Sequence, residues 1–339
     1  MKFDFAIGNP PYQEETQNNG RQNPVYNKFM DEAYKIAECV ELITPARFLF
    51  NAGQTPKLWN QKMLLDEHLK VLQYESDASK VFSNTEIKGG VAITLRNSTK
   101  EYGEIGVFTE FEELNSILHK IKPFCNKTVS DICIGAVPYH YTEALKLDHP
   151  EWVELAGDSF DLRTNTLDKL ASKIYFLDKP EDDGYIRIFG LYNKKRVFMW
   201  VNEKYVSGPK NFDKYKLLIS KANGSGKFGE ALSEMVIAPP KVGHTQSFIS
   251  VGAFNSKTEV KNLEKYIKTK LCRCMLSILR TTQDTTPYKW KYVPLQDFTN
   301  DSDIDWSSSI ANIDKQLYKK YHLSDEEVTF IETNVKEME

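Results

Sequence analysis

Short apolar runs alternate with stretches of apolar residues at helical spacing through about the first 121 residues. Residues 3–7 are almost wholly apolar and run into Gly8 and the pair Pro10-Pro11, which predicts a strand ending in a turn. Val25, Phe29, Ala33 and Ile36 recur at helical spacing and predict a helix over 25–37. A second strand is predicted at 40–44, stopped by Pro45, then a helix at 58–65 and a third strand at 69–74. Gly89-Gly90 precede a fourth strand at 91–95, followed by a short strand at 105–108 and a helix at 111–121. Strands separated by helical segments predict a parallel α/β sheet. Residues 122–130, with Pro123, read as a linker.

The pattern then changes to α+β. Residues 186–191 and 196–201 predict a hairpin across 192–195. Over 257–279 one long helix is predicted: Ser256 and Glu259 form a capping box, and Val260, Leu263, Ile267, Leu271, Met275 and Ile278 line one apolar stripe. Its other faces carry Lys261, Lys265, Lys268, Lys270 and Arg273. Two short amphipathic helices are expected at about 308–320 and 325–337, the second opened by a capping box of Ser324 and Glu327.

The chain has 339 residues and is 41% apolar and 27% charged, which suits about two globular domains. No apolar run reaches the ~18–20 residues that span a bilayer, so no membrane partner is expected. The five cysteines are scattered, which excludes a disulfide framework and leads to the expectation of a reduced, cytoplasmic home. Charge is unevenly distributed. Residues 187–291 hold 20 Lys/Arg against 7 Asp/Glu, a local +13, whereas 292–339 net −7 and the front of the chain −9. A polyanion is therefore expected on the middle of the chain.

Asn9-Pro10-Pro11-Tyr12 stands at the C-terminal end of the first predicted strand, where open α/β sheets bind ligands. These residue types suit a difficult reaction. The exocyclic amine of adenine is a poor nucleophile, because its lone pair is delocalised into the ring. Two acceptors on its N–H hydrogens draw the nitrogen towards a tetrahedral form and free that lone pair. The Asn9 side-chain carbonyl supplies one acceptor, and Pro10, followed by a proline without an N–H, leaves its backbone carbonyl free as the other. Tyr12 offers a flat face for a base flipped out of the duplex.

The stretch KFDFAIGNPPY resembles the catalytic motif of γ-class adenine-specific DNA methyltransferases, in particular the methyltransferase part of type IIG restriction–modification proteins. ELITPARFLFN resembles the family's next strand and the segment after it. SKVFSNTEIKGGVAITLRN resembles the later motif in which an aromatic packs on the other face of the extruded adenine, a role that the resemblance gives to Phe82. SFISVGAFNSKTEVKNLEKYIKTKL and TTPYKWKYVPLQDF resemble the target-recognition region.

The resemblance implies S-adenosylmethionine as methyl donor and double-stranded DNA as substrate. In the family, the glycine loop that cradles the donor lies upstream of the motif, and only eight residues precede Asn9 here. The cofactor-binding half is therefore expected from a partner polypeptide or a missing N-terminal segment. Gly224-Ser225-Gly226-Lys227-Phe228-Gly229 matches G-x-G-x-x-G, but no acidic residue follows about 20 positions on, so a recognition-domain loop touching phosphate is expected instead. No metal site is expected: Asp301, Asp303 and Asp305 lack the glycine and final glutamate of a calcium loop, and Cys272 and Cys274 have no histidine cluster nearby.

Taken together, the expected fold is α/β, a partial Rossmann-like methyltransferase sheet over 1–125, followed by an α+β target-recognition domain over 131–295 and a helical tail over 296–339. The expected catalytic residues are Asn9, Pro10, Pro11 and Tyr12, with Tyr12 and Phe82 stacking on the target base. Lys194, Lys195, Arg196, Lys241, Lys268 and Arg280 are expected to contact DNA. The competing reading is a non-catalytic DNA-recognition module serving a restriction enzyme.

Overall fold

The structure, a computed structural model, describes residues 3–14, 23–82, 87, 89–280 and 282–338. It divides into two compact units, Met1–Asn115 and Ser116–Glu339.

In the first unit, β1 (Phe3–Gly8), α1 (Tyr26–Ile36), β2 (Ala37–Pro45), α2 (Lys57–Leu64), β3 (Leu69–Glu75) and β4 (Val91–Asn97) build a four-stranded sheet of order β1-β2-β4-β3. β1 runs parallel to β2, with Gly8 opposite Leu42, whereas β4 runs antiparallel to both of its neighbours. The all-parallel expectation is thereby corrected to a mixed sheet. The reason lies in the connections: α1 and α2 carry the chain back between parallel strands, but among the described residues no α-helix stands between β3 and β4. Gly90, at φ +74°, turns the chain into β4, and a Cβ there would fall on the Glu75 carbonyl.

Residues 105–108 form no strand. Their surroundings satisfy the backbone differently, since Gly106 N–H donates to the Leu64 carbonyl, while Ile105 and Phe108 pack on the core. The face of α1 also differs from expectation. Tyr26 and Met30 are buried, whereas Phe29 and Ile36 are 46% and 49% exposed.

Helix α3 (Glu112–Ile121) follows as expected. The second unit continues through β5 (Cys133–Ile134), β6 (His140–Tyr141), α4 (Glu143–Asp148), α5 (Val153–Ala156) and α6 (Thr166–Leu170). Next come the hairpin β7 (Tyr185–Tyr192) and β8 (Lys195–Asn202), then β9 (Val206–Ser207), β10 (Tyr215–Ser220), β11 (Val236–Ala238), β12 (Val242–His244) and β13 (Phe248–Phe254). The sheets have orders β11-β10-β13-β5 and β12-β7-β8, with β6 and β9 as a separate pair. The inner face of the hairpin (Ile186, Ile188, Met199, Val201) joins one core with Tyr139 and Tyr175. Phe189 joins another core with Leu218 and Phe248.

The long helix predicted at 257–279 is two helices, α7 (Lys257–Lys268) and α8 (Lys270–Ser277), with Thr269 extended between them. Thr269 Oγ1 donates to the Tyr266 carbonyl and accepts from Cys272 N–H, so one hydroxyl closes the first helix and caps the second. The apolar stripe is intact, with all six residues buried. Arg273, expected on a polar face, is 1% exposed; its guanidinium donates to the carbonyls of Lys268, Glu230 and Lys336. The tail supplies α9 (Ile310–Lys320) and α10 (Asp325–Asn334), and the capping box of Ser324 and Glu327 is formed in both directions. Among the described residues no helix is long and apolar enough to cross a membrane.

Candidate active site and basic surface

Because β1 and β2 are parallel and in register, the chain leaving Gly8 emerges at the sheet edge where Pro45 ends β2. Asn9 and Pro11 are exposed, and Pro10 and Tyr12 are half-buried. The segment after the motif is pinned: the Tyr12 carbonyl accepts from Val25 N–H at 3.1 Å, and Glu14 N–H donates to the Asn23 carbonyl at 3.0 Å. Both acceptors of the motif, Asn9 Oδ1 and the Pro10 carbonyl, have no donor among the described residues.

Tyr12 and Phe82 come together, with ring centroids 6.4 Å apart at an interplanar angle of 69°. They meet edge to face rather than as two parallel plates. The Tyr12 hydroxyl is buried without a partner among the described residues, and burial pushes it up to about 12. Beside Tyr12 lies a cavity of about 220 Å³, bounded also by Gln13, Pro24, Tyr26, Pro45, Arg47, Gly53, Gln54 and Ile87. Gly53 and Gly89 have positive φ and press on the Arg47 side chain, which a Cβ at either would meet at 3.1 and 3.0 Å. Residues 83–86 and 88, within the segment that resembles the second base-stacking motif, lie outside the described residues.

A wider cleft of about 440 Å³ opens elsewhere in this unit, but its cations are matched by acids: Lys62–Asp31, Lys35–Glu32 and Arg96–Asp66 are each at 2.7 Å. It is a self-neutralised surface.

The six basic residues expected on DNA are placed unequally. Lys194 and Lys195 stand exposed at the hairpin turn, where Asn193 and Lys194 take φ of 49° and 62°. Arg196 is exposed beside them and donates to the Glu234 carbonyl and Ser220 Oγ. Lys241, next to the opposite end of the hairpin, is paired with Glu203 at 2.5 Å and Asp213 at 2.8 Å. Lys268 is paired with Glu264 at 3.1 Å. Arg280 departs from the expectation altogether. It is 2% exposed and holds the Asn223 carbonyl and the Glu230 carboxylate, so its guanidinium is not offered to a phosphate.

The G-x-G-x-x-G loop also has its donors engaged internally. Ser225 and Gly226 N–H groups and the Ser225 hydroxyl converge on the carboxylate of Glu230. The loop thus binds its own acid where a phosphate was expected.

Comparison with known proteins bears on the first unit. Residues 1–82 match the family model of the Eco57I restriction-modification methylase. The likeness read from the sequence, to adenine methyltransferases of restriction–modification systems, is shown for this methylase-like segment. A protein of Mycoplasma pneumoniae described as an uncharacterized adenine-specific methylase is 30% identical over 117 residues, 33% of this chain and 28% of that protein. The type IIG restriction endonuclease BpuSI aligns over 94% of this chain and 49% of its own, at 10% identity and a TM-score of 0.33, below the level of a shared fold. The chain thus spans about a quarter of the curated relative's length and half of the endonuclease's.

Methylases of this kind use S-adenosylmethionine. Among the described residues, the G-x-G-x-x-G loop at 224–229 has its Ser225 and Gly226 N–H groups closed on Glu230 and so does not offer them to such a group.

Proposed function

We propose that this chain is the catalytic and DNA-recognition portion of a site-specific adenine methyltransferase of a restriction–modification system. Residues 1–125 are read as the catalytic part, built on a partial Rossmann-like sheet, 131–295 as the target-recognition domain and 296–339 as a helical tail. The observation that carries the reading is the pair of acceptors at the strand end, Asn9 Oδ1 and the Pro10 carbonyl, neither with a donor among the described residues, on the chain that leads into Tyr12 and the cavity it lines.

In this reading the two acceptors take the two amine hydrogens of an adenine flipped out of the duplex, freeing the nitrogen lone pair for in-line attack. Tyr12 stacks on the base. Phe82 packs from the other side after rotating out of its edge-to-face contact with Tyr12. Pro11 contributes by lacking an N–H, which keeps the turn free of a competing donor. Lys194, Lys195 and Arg196 are the phosphate contacts of the recognition domain, while Lys241 and Lys268 must first exchange their carboxylate partners.

The methyl donor is assigned to a further segment or a partner polypeptide. Support comes from the outer edge of β1, which is unpaired among the described residues. There Phe3, Phe5 and Ile7 are 60%, 71% and 79% exposed along one face of the strand. A second reading is a recognition module without catalysis of its own, supported by the exposed Lys194 and Lys195 at the hairpin turn.

Calorimetric titration of S-adenosylmethionine into the chain, alone and with the product of the neighbouring gene, separates the two. The enzyme reading expects binding with the partner present, together with methyl transfer to adenine in duplex DNA that falls at least about 100-fold in Asn9→Ala. Full activity in Asn9→Ala would overturn the site assignment.

A further inference from the structure

Among the described residues that bound the cavity next to Tyr12, the charge is carried by Arg47. Beyond Pro45 the chain makes one 3₁₀ turn, Ala46–Phe50, in which Ala46, Phe48 and Leu49 are buried and Arg47 is half-buried. Two glycines stand against the Arg47 stem. A Cβ at Gly53, where φ is +91°, would meet its Cβ and Cδ, and one at Gly89, where φ is +87°, would meet its Cγ. Backbone bonds tie these loops to the turn: Ala52 N–H donates to the Arg47 carbonyl and Ala46 N–H to the Gly90 carbonyl, each at 3.0 Å. The stem is therefore clamped, and much of its rotamer freedom is lost before any ligand arrives.

The guanidinium acts on the cavity wall. Burial raises the Tyr26 hydroxyl above its ordinary value, while a Thr55 hydrogen bond and the Arg47 charge draw it back. Tyr12, Tyr26 and Pro45 give the cavity flat sides, Gln13 and Gln54 bring carboxamides, and Arg47 brings positive charge. Such a wall suits a planar ring that carries an anionic group, and a nucleotide has both. The chemistry of the amine decides which part the cation takes. On a ring nitrogen of adenine, a cation would draw the amine's lone pair further into the ring and oppose the acceptors Asn9 Oδ1 and Pro10 O. On a phosphate oxygen it leaves the amine untouched and forms a charge-assisted, two-point contact.

We propose that Arg47 is a phosphate-binding residue, which grips the backbone phosphate of the nucleotide whose base rests on Tyr12. The amine and the sugar leave a purine from opposite ends. A base that offers its amine to Asn9 while lying on Tyr12 thus carries its phosphate past that ring, to the cavity that Tyr12 and Arg47 share. The identity of the nucleotide rests on the methyltransferase reading.

The test follows binding of the single-stranded trinucleotide d(TAT) to the full chain by NMR titration, with each phosphate in turn replaced by a neutral methylphosphonate. In the wild type one of the two replacements should weaken binding about 10-fold. Arg47→Met, which keeps an apolar stem, should weaken the all-phosphate trinucleotide by a similar factor and make it indifferent to that replacement. Arg47→Lys, a point charge in place of the fork, should retain part of the discrimination. Asn9→Ala should weaken all three ligands alike and leave the discrimination intact, and circular dichroism should report folded protein for every variant. A wild type indifferent to both replacements overturns the proposal without recourse to any variant. So does a chain that binds no trinucleotide, or undiminished discrimination in Arg47→Met. The competing anion is the carboxylate of the methyl donor: loss of S-adenosylmethionine binding in Arg47→Met, with the discrimination unchanged, would give the guanidinium to the donor instead. Methyl transfer that still depends on Asn9, measured with the partner present, would show that the catalytic reading survives any of these failures.

Discussion

Glu230 Oε2 lies 3.0 Å from both Ser225 N and Gly226 N, so the carboxylate closes the glycine loop that precedes it. Arg280, 3.5 Å from the same oxygen, holds the acid from behind. Gly226 takes φ +87° and lies so close to the Thr282 backbone that a Cβ would meet it at 2.5 Å. The loop is therefore an internal clasp. Glu230→Ala should remove it, leaving a buried guanidinium short of its partner and costing about 1–3 kcal/mol of stability. Urea unfolding would measure the loss, and hydrogen exchange should speed up at Ser225 and Gly226. Wild-type protection at those amides would refute the clasp.

Lys216 is wholly buried, with Nζ 3.3 and 3.2 Å from the carbonyls of Phe212 and Lys214. Burial brings its ammonium down to about 8, against 10.5 ordinarily. Between those values the unfolded chain holds the proton that the folded chain has shed, so this residue makes stability rise with pH from about 8 to 10.5. Lys216→Met should raise the melting temperature at pH 7 and abolish that rise, as read by melting curves across the range.

His244 and Asp314 titrate with opposite sign. His244 is fully buried; its Nδ1–H donates to the Thr245 carbonyl at 3.0 Å, and burial lowers it from 6.5 to about 4. The fold keeps this ring neutral, so stability falls as pH drops through 6.5 towards 4. Asp314 accepts from the N–H groups of Lys270 and Leu271 at the start of α8, yet burial raises it from 3.8 to about 6. Its folded form retains a proton longer than the unfolded chain does, so its contribution falls as pH rises from 3.8 to 6. Asp314→Asn should therefore steepen the net gain in stability with rising pH below 6, and His244→Phe should flatten or invert it. Identical pH profiles in the two variants would contradict both assignments.

Thr269 divides one apolar stripe between two helices. Thr269→Ala removes the hydroxyl that bonds both helix ends and should cost about 1–2 kcal/mol. Chemical denaturation gives the value, and a change near zero would mean that the break is held by packing alone.

Tyr12→Phe removes a buried hydroxyl with no partner among the described residues. Stability should be unchanged or rise by up to about 1 kcal/mol, while the ring available for stacking is kept. A marked loss of stability, followed by thermal melting, would reveal a partner for that hydroxyl.

Local chemistry was enough to read several features from the chain. Gly8 and the proline pair end β1 where expected, Ser324 and Glu327 start α10, and the turn between β7 and β8 falls where residues of positive φ are tolerated. Each depends on residues a few positions apart, which a sequence displays directly. The Asn9–Tyr12 motif was legible for the same reason, since its four residues are neighbours in the chain.

Pairing and burial were decided elsewhere. Nothing near Val91 states that β4 inserts antiparallel between β2 and β3, because strand direction follows from connections across the whole sheet. Nor does local spacing show which cations are spent internally. Arg273 and Arg280 look like their lysine neighbours in sequence, but the fold surrounds them with carbonyls and a carboxylate. Arg187, by contrast, acquires its place over Phe198 and Trp200 only when two strands align. A charge seeks whatever partner comes within reach, and long-range packing sets that reach.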